Sequence, residues 1–347
     1  MNFKKSFALL AVTIFGVSQL NTPLALATEN SSPVVNERWG KPTFVSGAGL
    51  TSTQLQETMK ILDVNPNDVT STTATGADLI KYLGSGSGDD SVMLSSVLVT
   101  RENAGKGINV DIVTPENITS ITADQYKNPL ITAGITDATI KVGSVVRVTG
   151  ESALTGVYKA FEKKKNGEEV NADRAQLAQD ELEISSQIAQ SIINQSNKVN
   201  ENQNLTDSEQ EKLDEAQKTQ LSQTLVDIKK ALADFKEQQG KTATKEEVQK
   251  IVDDALAKNN ISEYVSSADI SSLVALAQRY QTTEGVLSKE SLAQLDKISK
   301  GFEKTINNLG NELGKFGDLL KGKLDGSKGF FAGIWENITS FFGNLFN

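Results

Sequence analysis

The feature that most narrows the fold is a change of hydrophobic period near Lys165. Downstream of it the strand signal disappears and much of the apolar pattern falls at spacings of three and four, the spacing of one face of a helix. One stripe runs Leu177, Ile184, Ile188, Ile192. A second runs Leu213, Leu221, Leu225, Ile228, Leu232, Phe235, and a third runs Leu295, Ile298, Phe302, Ile306, Leu309, Leu313, Phe316, Leu320. Val248, Ile251, Val252 and Leu256 add a shorter one. Thr206-x-x-Glu209 and Thr244-x-x-Glu247 are capping boxes at helix starts, and Gly240 is a stop. Residues 166–328 are therefore predicted to be all helical, as a bundle or a series of helical hairpins.

Upstream the period is mixed. Thr51-x-x-Gln54 caps a helix with Leu55, Met59 and Leu62. Asn65-Pro66-Asn67-Asp68 ends it in a turn. Val69–Thr73 reads as a short strand, Thr75-Gly76 opens a second helix, and Gly84–Gly88 reads as a flexible loop. Val92–Thr100 and Ile108–Val113 read as a hairpin around Ala104–Gly107. Ile108, Val110 and Ile112 alternate with Asn109 and Asp111, which buries one face. The first pattern then returns about 71–74 residues on. Thr122-x-x-Gln125 caps a helix that Gly134 stops, Ala138–Val148 is a strand, and Thr149-Gly150 opens a helix with Leu154, Val157, Tyr158 and Phe161. Residues 45–165 are thus predicted to be an α+β domain of about four strands with an internal duplication.

The first 27 residues have the form of a secretory signal. Lys4 and Lys5 precede an apolar run from Phe7 to Val17, and Ala25-Leu26-Ala27 is a small-x-small cleavage site. Residues 28–44 are polar and read as a disordered leader. The expected location is secreted or extracellular, held to the cell envelope at most non-covalently. Loss of Lys4 and Lys5 with the signal would take the net charge from −9 to −11, unfavourable for nucleic acid as a partner. The chain has no Cys and no His. That excludes disulfides, Ser-His-Asp and Cys-His catalysis and His-rich metal sites. No cofactor, metal ligand or catalytic residue is expected. A hydrolase would have to use Asp/Glu or Ser/Thr–Lys chemistry.

The block Ile121–Ile135, with the block Val148–Glu162 and Tyr82-Leu83-Gly84 upstream, resembles the secreted Gram-positive family known as domain of unknown function 1002. The resemblance covers about residues 45 to 280 and is strongest over 121–162. It implies export and an α+β part followed by helices. It implies no established activity and supplies no catalytic residues.

Four local patterns could carry chemistry. Asp63-x-Asn65-x-Asn67 begins like a calcium loop but lacks its Gly and terminal Glu, and reads as a turn. Gly84–Gly88 lacks the Lys-Ser/Thr of a phosphate loop. Thr149, Gly150 and Ser152 at a helix start form a weak anion-binding candidate, against ordinary capping. The fourth pattern is the C-terminal stretch 329–347. Phe330, Phe331, Ile334, Trp335, Ile338, Phe341, Phe342, Leu345 and Phe346 share one helical face, with six of the chain's 20 aromatic residues. This is a contact surface for an unknown envelope protein, a second copy of the chain or a membrane surface. The expected function is that of a non-enzymatic exported protein. An envelope hydrolase and a secreted membrane-active factor are the alternatives.

Overall fold

The computed structural model describes residues 40–83, 86–162 and 170–320, which fall in one compact unit. The fold class is α+β, with a five-stranded mixed sheet followed by helices. The strands are β1 Thr43–Gly47, β2 Thr70–Ala74, β3 Ser96–Arg101, β4 Ile108–Ile112 and β5 Ala138–Gly143. The sheet order is β2-β1-β3-β5-β4, with β1∥β2 and β4∥β5 parallel and β3 antiparallel to both of its neighbours. The helices of this part are α1 Ser52–Ile61, α2 Gly76–Leu83, α3 Ala123–Thr132 and α4 Ser152–Phe161.

Each half of the sheet repeats one succession: strand, capped helix, parallel strand, helix. The two capping boxes are made by Thr51 with Gln54 and by Thr122 with Gln125. Burial separates the halves. The outer face of α1 is exposed, whereas α3 is buried from Gln125 onward except for Lys127.

Three elements differ from the sequence reading, one of them β5, which ends at Gly143 rather than at Val148. β1 occupies Thr43–Gly47, all five residues buried, and opens inside the stretch expected as leader. β3 and β4 do not form a hairpin, because β5 lies between them. Asp137, just before β5, explains the split. It sits at φ +46° with its carbonyl accepting from the Glu102 N–H at 2.7 Å and its carboxylate from the Gly107 N–H at 2.6 Å. The turn 102–107 therefore straddles Asp137 and steps over the end of β5, about two strand spacings or ~10 Å.

Cross-strand register places Val45, Val97, Val99, Val110, Ile140 and Val142 on one face. They share a core with Leu154, Val157 and Tyr158 of α4, and with Tyr126, Leu130 and Ile131 of α3. On the opposite face, Asn109 and Asp111 are exposed.

The helical layer comprises α5 Ala172–Val199, α6 Asp207–Gln239, α7 Lys245–Lys258, α8 Ser267–Thr282 and α9 Lys289–Glu312. Caps expected at Thr206 and Thr244 are made as boxes, and Ser266 with Asp269 makes another. The stripe from Leu295 to Leu320 is buried throughout. The layer is not a separate body packed on the sheet. Ala178 and Leu182 of α5, Val226 of α6, and Leu295, Ile298 and Phe302 of α9 belong to the sheet's own core. Each of the five larger side chains among these contributes about 1.5–3 kcal/mol when fully buried.

α6 runs through the middle of this layer, and between Ala216 and Leu232 almost every residue is buried. Its polar residues are bonded inward. Asp227 accepts from Lys258 at 2.9 Å, from Asn259 at 2.9 Å and from Gln223 at 3.2 Å. The deepest pair is Lys229 with Glu181 of α5, 2.7 Å apart with side chains 1% and 0% exposed. The other Glu181 oxygen accepts from the Thr132 hydroxyl at 2.6 Å. Lys229 also donates to Asn128 at 3.4 Å and lies 4.7 Å from the Tyr280 ring centroid. Burial pulls the Lys229 ammonium below its ordinary range while the Glu181 charge opposes it. Burial, then the same charge, pushes the Tyr158 and Tyr280 phenols up, so both stay neutral.

At the α2–α4 contact, Glu162 pairs with Lys81 and, at 2.9 Å, with Lys159, which also holds Asp78 at 2.7 Å. Burial acts to raise the Glu162 carboxyl, but hydrogen bonds from Lys81, Lys159 and Tyr82 hold it down at about 2.

Two predictions follow from these charges. Lys229→Met strands a buried carboxylate and should cost on the order of 3–5 kcal/mol in urea unfolding, while adding Glu181→Leu should recover most of it. Glu162 is depressed in the folded state, so its contribution is present above its unfolded value near 4.5 and lost as the pH falls towards 2. The melting-temperature gap between wild type and Glu162→Gln should therefore be open at pH 6 and close across that window.

Candidate functional site

The best-formed cleft among the described residues lies where the C-terminal end of α3, the turn before β5 and the first turns of α5 and α9 meet. Its volume is about 420 Å³, within the ~300–1,000 Å³ usual for small-molecule sites. Arg174 dominates it. Asn171 caps α5 by accepting from the Arg174 N–H at 3.0 Å, which fixes the first turn that carries this side chain. The guanidinium then reaches across to the end of α3. Its Nε donates to the Thr132 carbonyl at 2.7 Å, and its Nη2 donates to the Ile131 carbonyl at 2.8 Å and to the Ser291 hydroxyl at 3.2 Å. The end of α3 is where helix carbonyls lack partners and the helix dipole is negative. Burial lowers the Arg174 basicity somewhat, and the nearby Glu290 charge opposes the shift.

The rest of the lining is mixed in charge. The Arg101 guanidinium lies over the Phe161 ring at 4.3 Å from its centroid. Glu102 accepts from the Thr139 hydroxyl at 2.8 Å through one oxygen. Burial would raise the Asp137 carboxyl, but hydrogen bonds from the Gly107 and Gly105 N–H groups and Gln294 outweigh it and hold it below the usual range. Glu290 stands on the first turn of α9. Sequence reasoning selected none of these residues. Arg174 is 40 positions from Gly134 and 116 from Glu290, and no local pattern joins them.

The residues singled out from sequence lie elsewhere. Thr149 donates to Glu151 at 3.3 Å, and Glu151 rather than Thr149 is the first residue before α4, with no side-chain cap. Gly150, at φ +105°, gives its carbonyl to the buried Tyr126 hydroxyl at 2.5 Å. A carboxylate therefore already stands at the start of the helix that carries Ser152. The corresponding start of α2 holds two of the chain's own carboxylates. Asp78 accepts from the Thr75 N–H at 2.9 Å, and Asp90 accepts from the Gly76 N–H at 2.8 Å. Residues 86–90 are thus packed onto α2, where a side chain on Gly76 would collide with the Gly88 carbonyl, and they do not form a free linker. Asn65 makes an Asx turn, accepting from the Asn67 N–H at 3.1 Å and donating to Asp68 at 2.7 Å. Among the described residues no group of three or more acidic side chains is arranged to hold a metal ion. Phe330, Phe331, Ile334, Trp335, Ile338, Phe341, Phe342, Leu345 and Phe346 lie outside the described residues.

Comparison with known proteins places the chain. It is 28% identical over 302 residues to the "Uncharacterized protein YpuA" of Bacillus subtilis (strain 168), covering 85% of this chain and 88% of that protein. No solved structure matches. A family model matches residues 46–298, which takes in the sheet from the end of β1 onward, the cleft and most of the helical layer. The chain therefore belongs to the family described as "Protein of unknown function (DUF1002)".

Proposed function

We propose that this is an exported, non-enzymatic protein of a Gram-positive cell envelope or extracellular space, and that its C-terminal stretch makes contact with a partner, a second copy or a membrane surface. The observation that carries the reading is the N-terminal pattern of Lys4, Lys5, the apolar run to Val17 and Ala25-x-Ala27. A relative from a Bacillus supports the Gram-positive assignment. The lack of His and Cys supports a non-catalytic role. So does the arrangement of the deepest charges. Glu181 and Lys229 neutralise each other with no exposure, which leaves no reacting edge. The hydrolase alternative needs a carboxylate held protonated in a cleft. Asp137, the cleft carboxylate with a shifted proton affinity, is moved the other way.

The described surface also bears on the C-terminal stretch. Its exposed large apolar side chains are Ile80, Val92 and Val199, too few to cover a face of nine large apolar residues. A covering surface outside the described body fits that face better.

Native protein recovered from culture medium should begin at Thr28 by mass spectrometry, and retention in cells with an intact N-terminus would contradict export. In liposome flotation, the full-length protein should float and a variant lacking residues 329–347 should not, if the contact is lipid. If neither floats, concentration-dependent self-association lost in the same deletion points to a second copy.

A further inference from the structure

We propose that the Arg174 cleft binds a small α-amino carboxylate, either a free amino acid or the end of a short peptide, with the ligand carboxylate on the outer edge of the guanidinium. This inference rests on the cleft alone and is independent of the export reading.

The structural role of Arg174 leaves part of its guanidinium unused. Closing off the end of α3 takes Nε and Nη2. It does not take Nη1, which has no hydrogen-bond partner among the described residues although it carries two N–H donors. The side chain is held at three points, so a ligand would meet a guanidinium that has already lost its rotamer freedom.

Two glycines lie against this edge, and Gly134 is itself part of the cleft lining. Gly134, at φ +88°, and Gly285, at φ +81°, approach Nη1 from separate loops. A Cβ would lie 2.9 Å from Nη1 at Gly134 and 3.0 Å at Gly285. Any other residue would press on the donor edge as well as strain the backbone. At Gly134 the left-handed backbone also ends α3, and a Cβ there would crowd Cζ at 3.1 Å, whereas Gly285 stands in the separate loop before α9. A side chain at either position would press on Nη1, the donor that a ligand oxygen would use.

The lining then selects among anions. Three carboxylates, Glu102, Asp137 and Glu290, face the same cleft as the guanidiniums of Arg174 and Arg101, an excess of one negative charge. That excess disfavours a doubly charged phosphate or sulfate relative to a ligand of no net charge. A zwitterion would not, since its ammonium has acceptors in Glu290 and in the second oxygen of Glu102, while Asp137 is occupied by its own backbone donors. Ile135 and Phe161 supply apolar wall for the rest of the ligand. Opposite charges at fixed positions beside an apolar wall are the recognition pattern of an amino acid rather than of a simple ion.

The test is a ¹⁵N-HSQC titration of the purified protein. Its probes are the free L-amino acids and a panel of dipeptides with apolar, acidic and basic side chains. Each binder is repeated as its C-terminal amide, and inorganic phosphate is run beside them. At least one acid should move the Gly134 and Gly285 amides saturably, and its amide should bind at least ~10-fold more weakly. Phosphate should not move them. Ala104 is exposed at the rim of the cleft, so Ala104→Trp should abolish binding with the melting temperature unchanged. Arg174→Lys, which keeps the charge but loses the fork, should weaken binding to the acid and leave the amide's residual binding alone. The proposal is overturned if no member of the panel saturates by roughly 10 mM, if acid and amide bind equally, or if phosphate binds the same amides as tightly.

Discussion

Lys229 and Glu181 meet 2.7 Å apart with almost no access to solvent. Neither charge could be left there alone, since breaking one side of such a pair costs several kcal/mol. Their remaining bonds are what join the molecule. The second oxygen of Glu181 takes the hydroxyl of Thr132, at the end of the helix that crosses between β4 and β5, and Lys229 takes Asn128 from the same helix. The pair thus links α5 and α6 of the helical layer to α3 of the sheet layer. Asn128 returns the link by donating to the Ser222 carbonyl of α6 at 2.8 Å. Charges contribute little net stability in such a position, but they fix which helix faces meet.

That constraint accounts for the placement of the cleft. α3 is held from above by the Glu181–Lys229 group, and its last carbonyls then point to where Arg174 leaves the first turn of α5. Ser291 brings in the start of α9, and Asp137 fixes the turn that carries Glu102 and Ala104. The cleft is the space left where four chain ends converge on one guanidinium.

How much of this was legible in the sequence depended on whether the signal was local. The caps at Thr51, Thr122, Thr206 and Thr244 were readable because a hydroxyl and a carboxylate or amide three residues on are sufficient to make them. The α9 stripe was readable because one face repeats over about four turns, from Leu295 to Leu309. β1 was missed because five residues, two of them Ser and Gly, give no alternation to see. The β3–β4 pairing was misjudged because a short Gly turn is the usual mark of a hairpin, and the residue that splits it, Asp137, is 30 positions away from Gly107. α6 hid its central position because its buried polar residues find partners on the neighbouring helices, and a sequence shows polarity but not partners. The cleft was invisible for the same reason: Gly134, Arg174 and Gly285 have meaning only together.

The central claim is that sheet and helical layers form one cooperative body held at a buried charged joint. Native-state hydrogen exchange with increasing denaturant tests it most directly. The account predicts that the slowest amides of β3, β5 and α6 exchange through a single opening, with the same free energy and the same denaturant dependence. Exchange of the α6 amides through a lower-energy opening that leaves β3 and β5 protected would show two separable bodies and contradict it.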